Sequence, residues 1–189
     1  MVCAGAYAQS PNDVIQGAAD ELAAKLDGRK DELAADKEAL YELIDSILLP
    51  RFARRYAAQL VLGRHWRDAN EEQRNRFIAA FYQSLLQKYA DGVLDYDQSR
   101  IEILPYRGDD KKPRTQVKTM VRLDDGTKVP VNYSLVKRDS EWLIFDVTIE
   151  GISYVRNFRT ELNSEIQTTS LDAMITRLEE SNKTSTNGE

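Results

Sequence analysis

His65 is the only histidine and Cys3 the only cysteine in the 189-residue chain. Nucleophilic catalysis of the Ser-His-Asp or Cys-His kind needs a nucleophile within hydrogen-bond reach of an oriented base, so the chain has one base to draw on. His65 stands beside Trp66 at an arginine-rich helix end, where packing or exposure accounts for it. One His and one Cys cannot furnish a zinc site, and the carboxylates lack the spacing of a calcium loop, so no metal is expected. Asp146 and Glu150 share a strand face four residues apart, roughly 13 Å at about 3.3 Å per residue. That exceeds the about 5–9.5 Å of paired carboxylates in glycoside hydrolysis. Structural roles are assigned instead: Asp146 anchors a sheet-to-helix contact, and Glu150 caps a helix beginning near Gly151. A Tyr133/Asp146 acid–base pair is the remaining enzymatic reading. Odd Tyr133 falls on the apolar face and even Asp146 on the wet face, so the two are not expected to share a pocket. The nine glycines are scattered at element ends and build no phosphate loop.

Arg51, Arg54, Arg55, Arg64 and Arg67 concentrate positive charge in a chain whose formal net charge is -5. Two readings stay open: a solvated helix face, or contact with a lipid phosphate or an acidic docking surface, which the guanidinium fork suits. Lys111, Lys112 and Arg114 form a second basic stretch, read as a solvated turn. The acidic balance argues against nucleic acid as a partner, since such binding requires a basic face.

The elements that must position these residues follow from periodicity. Val14, Ile15, Ala18, Ala19, Leu22 and Leu26 predict a helix over 11–26 with Pro11 in its first turn. Leu33, Leu40, Leu43, Ile44 and Ile47 predict a second over about 31–48, broken by Pro50, and a third piece follows over roughly 51–66. Asn70 and Gln73 form a capping pair for a long helix with Phe77, Ile78, Phe81, Tyr82, Leu85, Leu86, Tyr89 and Val93 on one stripe. After Gly92 the period changes to 2, and apolar odd positions from Ile101 to Ile149 define a four-stranded antiparallel meander wet on one face. Residues 152–180 return to helical spacing. The class is α+β, one curved four-stranded sheet with one face covered by several helices. No apolar run approaches the roughly 20 residues of a membrane span. Residues 1–10 are expected to be a signal-peptide remnant or a disordered terminus, with Ala6-Tyr7-Ala8 a small-x-small cleavage site. Residues 11–180 make a single domain, and 181–189 a disordered tail.

Two ordered blocks carry a family resemblance. One is Trp142, Phe145, Asp146, Val147, Glu150, Gly151, Ile152 and Ser153. The other is Leu48-Leu49-Pro50-Arg51-Phe52, then Tyr56 through Trp66, then Phe77, Phe81, Leu85 and Tyr89-Ala90. Together they resemble the MlaC-type periplasmic phospholipid-shuttle proteins, the toluene-tolerance auxiliary family, from about residue 11 to about 180. The resemblance implies a cone-like sheet similar to the nuclear-transport-factor fold with extra helices. It implies export to the periplasm of a Gram-negative bacterium, no enzymatic activity, no cofactor apart from transported glycerophospholipid, and a monomer. Implied partners are an outer-membrane lipoprotein–porin complex and an inner-membrane ABC-transporter complex with a membrane-anchored substrate-binding subunit, between which lipid moves to maintain outer-membrane asymmetry. A cone-shaped isomerase or dehydratase, or an interaction domain without ligand, are the alternatives.

Periodicity alone reads the apolar faces as a closed core; the resemblance turns them into a cavity for acyl chains. Its expected lining is Val61, Leu62, Phe77, Phe81, Tyr82, Leu85, Tyr89, Val117, Val121, Val131, Tyr133, Leu135, Leu143, Phe145, Val147, Ile152 and Val155. Two chains of roughly 15 carbons, at about 0.8 kcal/mol per methylene, represent on the order of 20 kcal/mol of burial. A surface groove would not hide that much. Pro50 and Gly151 are expected hinges.

Overall fold

The structure is a computed structural model that describes residues 9–109 and 111–187. Of the expected signal remnant or disordered terminus over residues 1–10, residues 1–8 with Cys3 lie outside the described residues, while Ser10 is ordered as the cap of the first helix; residues 188–189 of the tail also lie outside the described residues.

Helix α1 (Pro11–Leu26) begins with a reciprocal cap: Ser10 Oγ accepts from the Asp13 N–H, and the Ser10 N–H donates to the Asp13 carboxylate. The single helix expected over 31–48 is two, α2 (Lys30–Ala35) and α3 (Lys37–Leu48). Asp36 leaves helical geometry and caps α3 by accepting from the Ala39 N–H. A 3-10 turn at Leu49–Arg51 takes up Pro50. The helix expected over 51–66 divides into α4 (Arg54–Leu62) and α5 (His65–Asp68) around Gly63, whose φ of 56° no helix accommodates. Asn70 and Gln73 form the expected capping box of α6 (Glu71–Leu94).

Five strands, one more than expected, form one open antiparallel sheet in the order β1-β2-β3-β4-β5: β1 (Ile101–Ile103), β2 (Arg114–Arg122), β3 (Lys128–Arg138), β4 (Glu141–Ile149) and β5 (Ile152–Ser153). The extra strand arises because Gly151 does not begin a helix. Glu150 (φ 50°) and Gly151 (φ 84°) form a two-residue turn between Ile149 and its partner Ile152, and positive φ at both central residues is what a tight hairpin favours. Glu150 is thus a turn residue and not a helix cap. The helix, α7 (Tyr154–Thr168), starts after Ser153, whose Oγ accepts from the Arg156 N–H. The polar stretch after Ser181, expected to be disordered, continues α8 (Leu171–Asn187). Asn182 is buried there and donates to the Ala80 carbonyl of α6.

A β-bulge governs which side chains face the helices. Ser134 pairs with Asp146, but Leu135 pairs with Ile144, leaving Phe145 as the extra residue. Inserting one residue reverses the alternation on β4. Beyond the bulge Val147 and Ile149 share a face with Tyr133 and Val131; before it Ile144 takes that face and Leu143, opposite Val136, takes the other.

Three closed clusters surround the space above this face. Val61, Leu62, Phe77, Leu162, Met174 and Ile175 pack α4, α6, α7 and α8 together. Leu26, Leu33, Leu40, Ile47 and Leu86 join α1, α2, α3 and α6. Val14 and Ile15 of α1 sit on Val117, Leu135, Trp142 and Ile144 of the sheet.

Candidate functional site

Between these clusters lies a groove of about 520 Å3. Its roof is α6, which presents Phe81, Tyr82, Leu85, Leu86, Tyr89, Ala90 and Val93 at the 3.6-residue period. Its floor is Val131 and Tyr133 of β3 with Phe145, Val147 and Ile149 of β4. Ile44, Leu48, Phe52 and Ala57 close one side, and Tyr154, Val155 and Phe158 of α7 the other. Hydrocarbon and aromatic groups make up nearly all of this wall. Leu48 and Tyr89, each 38% exposed, carry it out to solvent.

Aromatic contacts hold the α7 side against the roof: Phe81 meets Phe158 edge-on at 5.2 Å, and Tyr89 meets Tyr154 at 5.5 Å. Two polar groups at the wall, Asp146 and the Tyr82 hydroxyl, are committed to the scaffold. Asp146 accepts from the Ser153 hydroxyl at 2.6 Å and from the Val155 N–H at 2.9 Å, tying β4 to the start of α7. The Tyr82 hydroxyl donates to Asp45 at 2.6 Å; burial, then that carboxylate, pushes its phenol far above the ordinary range. Burial also raises the Tyr133 phenol.

Of the residues expected at a cavity, Phe81, Tyr82, Leu85, Tyr89, Val131, Tyr133, Phe145, Val147 and Val155 line the groove. The others do not. Val61, Leu62 and Phe77 are consumed in the helix–helix cluster, and Val117 and Leu135 are covered by α1. Val121 lies toward the far end of β2, in a separate polar cleft with Asp20 and Leu123. Leu143 is turned to the other face by the bulge, and Ile152 is 62% exposed beside the hairpin turn. Asp146 and Tyr133, which strand parity separates, both reach the groove, because Asp146 sits at the bulge under the first turn of α7. Sequence reasoning missed Ile44, Leu48, Phe52, Ala57, Val93, Ile149, Tyr154 and Phe158. Ile149 continues the parity of Val147, and Phe158 lies one helical turn after Tyr154, so both were within reach; the α3 and α4 residues depend on how the chain folds back at Pro50.

The five arginines do not converge on one point. Arg51 pairs with Glu21 at 2.9 Å and donates to the Ile47 carbonyl. Arg55 forks onto Glu71 and lies over Trp66. Arg64 donates to His65 Nε2 at 3.4 Å, and the exposed Arg67 sits on α5. Arg54 alone touches the groove wall, stacked over Tyr82 at 5.5 Å. Arg114, from the second basic stretch, donates to the Tyr56 hydroxyl. Among the described residues no cluster of three His, Cys, Asp or Glu could hold a metal ion, and no helix is long and apolar enough to cross a membrane.

A family profile described as MlaC protein matches residues 16–180. The toluene tolerance protein ttg2D of Pseudomonas putida is 32% identical over 161 residues, covering 85% of this chain and 74% of that one. The intermembrane phospholipid transport system binding protein MlaC of Haemophilus influenzae is 25% identical over 180 residues, covering 91% and 82%. The phospholipid-binding protein of Ralstonia solanacearum, solved in complex with a phospholipid, shares the fold with a TM-score of 0.81 at 22% identity, over 96% of this chain and 99% of that one. With the family profile matching residues 16–180 and a relative 32% identical over most of both chains, the chain belongs to the MlaC family.

Proposed function

We propose that this chain is a carrier that buries phospholipid acyl chains in the groove between α6, α7 and the sheet. The observation that carries this reading is the groove itself. About 520 Å3 is within the roughly 300–1,000 Å3 of small-molecule sites. A wall made almost wholly of hydrocarbon and aromatic groups holds water poorly and is best satisfied by hydrocarbon. The Ralstonia and Haemophilus relatives, named for phospholipid binding and transport, point the same way.

On this reading the chain is exported to the periplasm and exchanges lipid as a monomer. It works between an outer-membrane lipoprotein–porin complex and an inner-membrane ABC-transporter complex with its membrane-anchored subunit, and so maintains outer-membrane asymmetry. It needs no cofactor. An isomerase or dehydratase built on Tyr133 and Asp146 fits less well: the Asp146 carboxylate caps α7, and burial keeps the Tyr133 phenol protonated. Mass spectrometry of an organic extract of the purified chain is the test. Phospholipid near one molecule per chain is expected; an extract free of phospholipid overturns the proposal.

A further inference from the structure

The floor of the groove holds a hydroxyl that the fold leaves unpaired. Tyr133, in the middle of β3, stands opposite Val117 of β2 and Val147 of β4, with Val131 and Leu135 on the same face of its own strand. Its ring packs against the cluster of Val14, Ile15, Val117 and Leu135 and forms part of the groove wall. Among the described residues its hydroxyl has no hydrogen-bond partner, whereas the Tyr82 hydroxyl across the groove is taken by Asp45. Asn12 Oδ1 is the only side-chain polar atom of the described residues that is both sealed in and unpaired. The Tyr133 hydroxyl therefore keeps open surface, and the space its side chain borders is the groove. Burial disfavours the phenolate, so the group stands there as a donor. Water answers it poorly: a buried water needs about two to four polar partners, valines flank the ring on both neighbouring strands, and Thr119, diagonal to it on β2, already donates to the Val131 carbonyl.

The acceptor must then come from the ligand, and the wall indicates its kind. Among the described residues that line the groove there is no Lys or Arg, while the Asp146 carboxylate is one of them. An anionic acceptor, such as the carboxylate of a free fatty acid, would enter without a counter-charge and beside a like one; a neutral carbonyl meets neither penalty. We infer that the Tyr133 hydroxyl donates to an acyl ester carbonyl of the bound lipid, which makes the groove selective for ester-linked over ether-linked tails; the inference rests on the carrier reading above. A wall of hydrocarbon alone barely distinguishes two such tails, but a site that offers a donor rejects the analogue lacking the acceptor, because the donor is left unpaired. The same bond fixes how deeply the lipid enters, since the carbonyl lies at the glycerol end of each tail.

Calorimetric titration of the delipidated full chain with a short-chain diacyl phosphatidylcholine and with its dialkyl ether analogue tests this, because the ether keeps the chains and the phosphate and lacks only the carbonyl oxygens. The wild type should bind the diester about fivefold more tightly, the size of one hydrogen bond. Tyr133→Phe should lower diester affinity to that of the ether and leave the ether where it was. Tyr41→Phe, at a tyrosine that lines the neighbouring cleft and not the groove, should change neither. Equal affinities for the two lipids in the wild type, or equal losses for both in Tyr133→Phe, overturn the ester contact. Melting of the lipid-free chains gives a second readout: Tyr133→Phe should melt no lower than the wild type, since no bond within the protein is lost, and a lower value assigns the hydroxyl to the fold and overturns the inference too. Failure of both lipids to bind the wild type sinks the carrier reading instead, a different result.

Discussion

Asp146 illustrates how one side chain can be structural and still touch the site. Its two hydrogen bonds set where α7 begins, and α7 supplies Tyr154, Val155 and Phe158 to the groove. Asp146→Ala should cost about 1–3 kcal/mol, since it leaves the Ser153 hydroxyl and the Val155 N–H without their acceptor; urea denaturation measures it, and an unchanged midpoint contradicts the role. Val147 contributes volume instead. Val147→Arg places a charge and a long stem into a wall of hydrocarbon, so co-purifying lipid should fall to near zero, whereas Gln116→Arg on the exposed opposite face should keep it. Quantified lipid phosphorus in the two variants decides, and equal values mean that the floor is misassigned. Such roles were half legible in the sequence. Period and parity marked Phe81, Leu85, Tyr89, Val131 and Val147 as apolar and facing inward. They could not say that Val61 and Phe77, equally apolar on the same or adjacent helices, would be spent on packing against α7 and α8, because that depends on contacts distant in the chain.

The elements follow from local chemistry, and their exceptions come from single residues. Asp36 and Gly63 each interrupt a helix that hydrophobic spacing alone would have continued, and the Glu150-Gly151 hairpin turn delays the start of α7 to Tyr154. The bulge at Phe145 left no trace in composition, since two register choices give the same run of apolar residues; it alone moves Leu143 out and admits Asp146. The β3–β4 turn offers a direct measurement at this scale. Asp139 (φ 46°) and Ser140 (φ 74°) both adopt positive φ without being glycine, a conformation that strains an L side chain. Ser140→Gly should therefore raise stability by about 0.5–1 kcal/mol, the relieved strain outweighing the added freedom of the unfolded chain. A lower melting temperature would show that the hydroxyl makes a contact of more value than the strain.

For the molecule as a whole, the antiparallel sheet following a helical half could be read from the change of period at Gly92, whereas the number of helices and the open groove could not. Periodicity says which face is apolar; it does not say what fills the space above it. One global property follows from the tyrosines. Burial raises the Tyr82, Tyr133 and Tyr154 phenols, and pushes Tyr96 up to about 12. The folded state thus holds these protons more tightly than the unfolded state, where tyrosine titrates near 10. Their contribution is complete below about pH 10 and is lost as pH rises through the folded values, so the melting temperature should decline above about pH 10 and steadily toward 12; a flat profile there would contradict the burial of these rings. The central claim, that hydrocarbon tails fill the groove, is reached most directly by native mass spectrometry of the purified chain. The folded ion should be heavier than the denatured one by the mass of a phospholipid, and that increment should vanish in Val147→Arg. Equal masses for the folded and denatured wild-type chain would contradict the account.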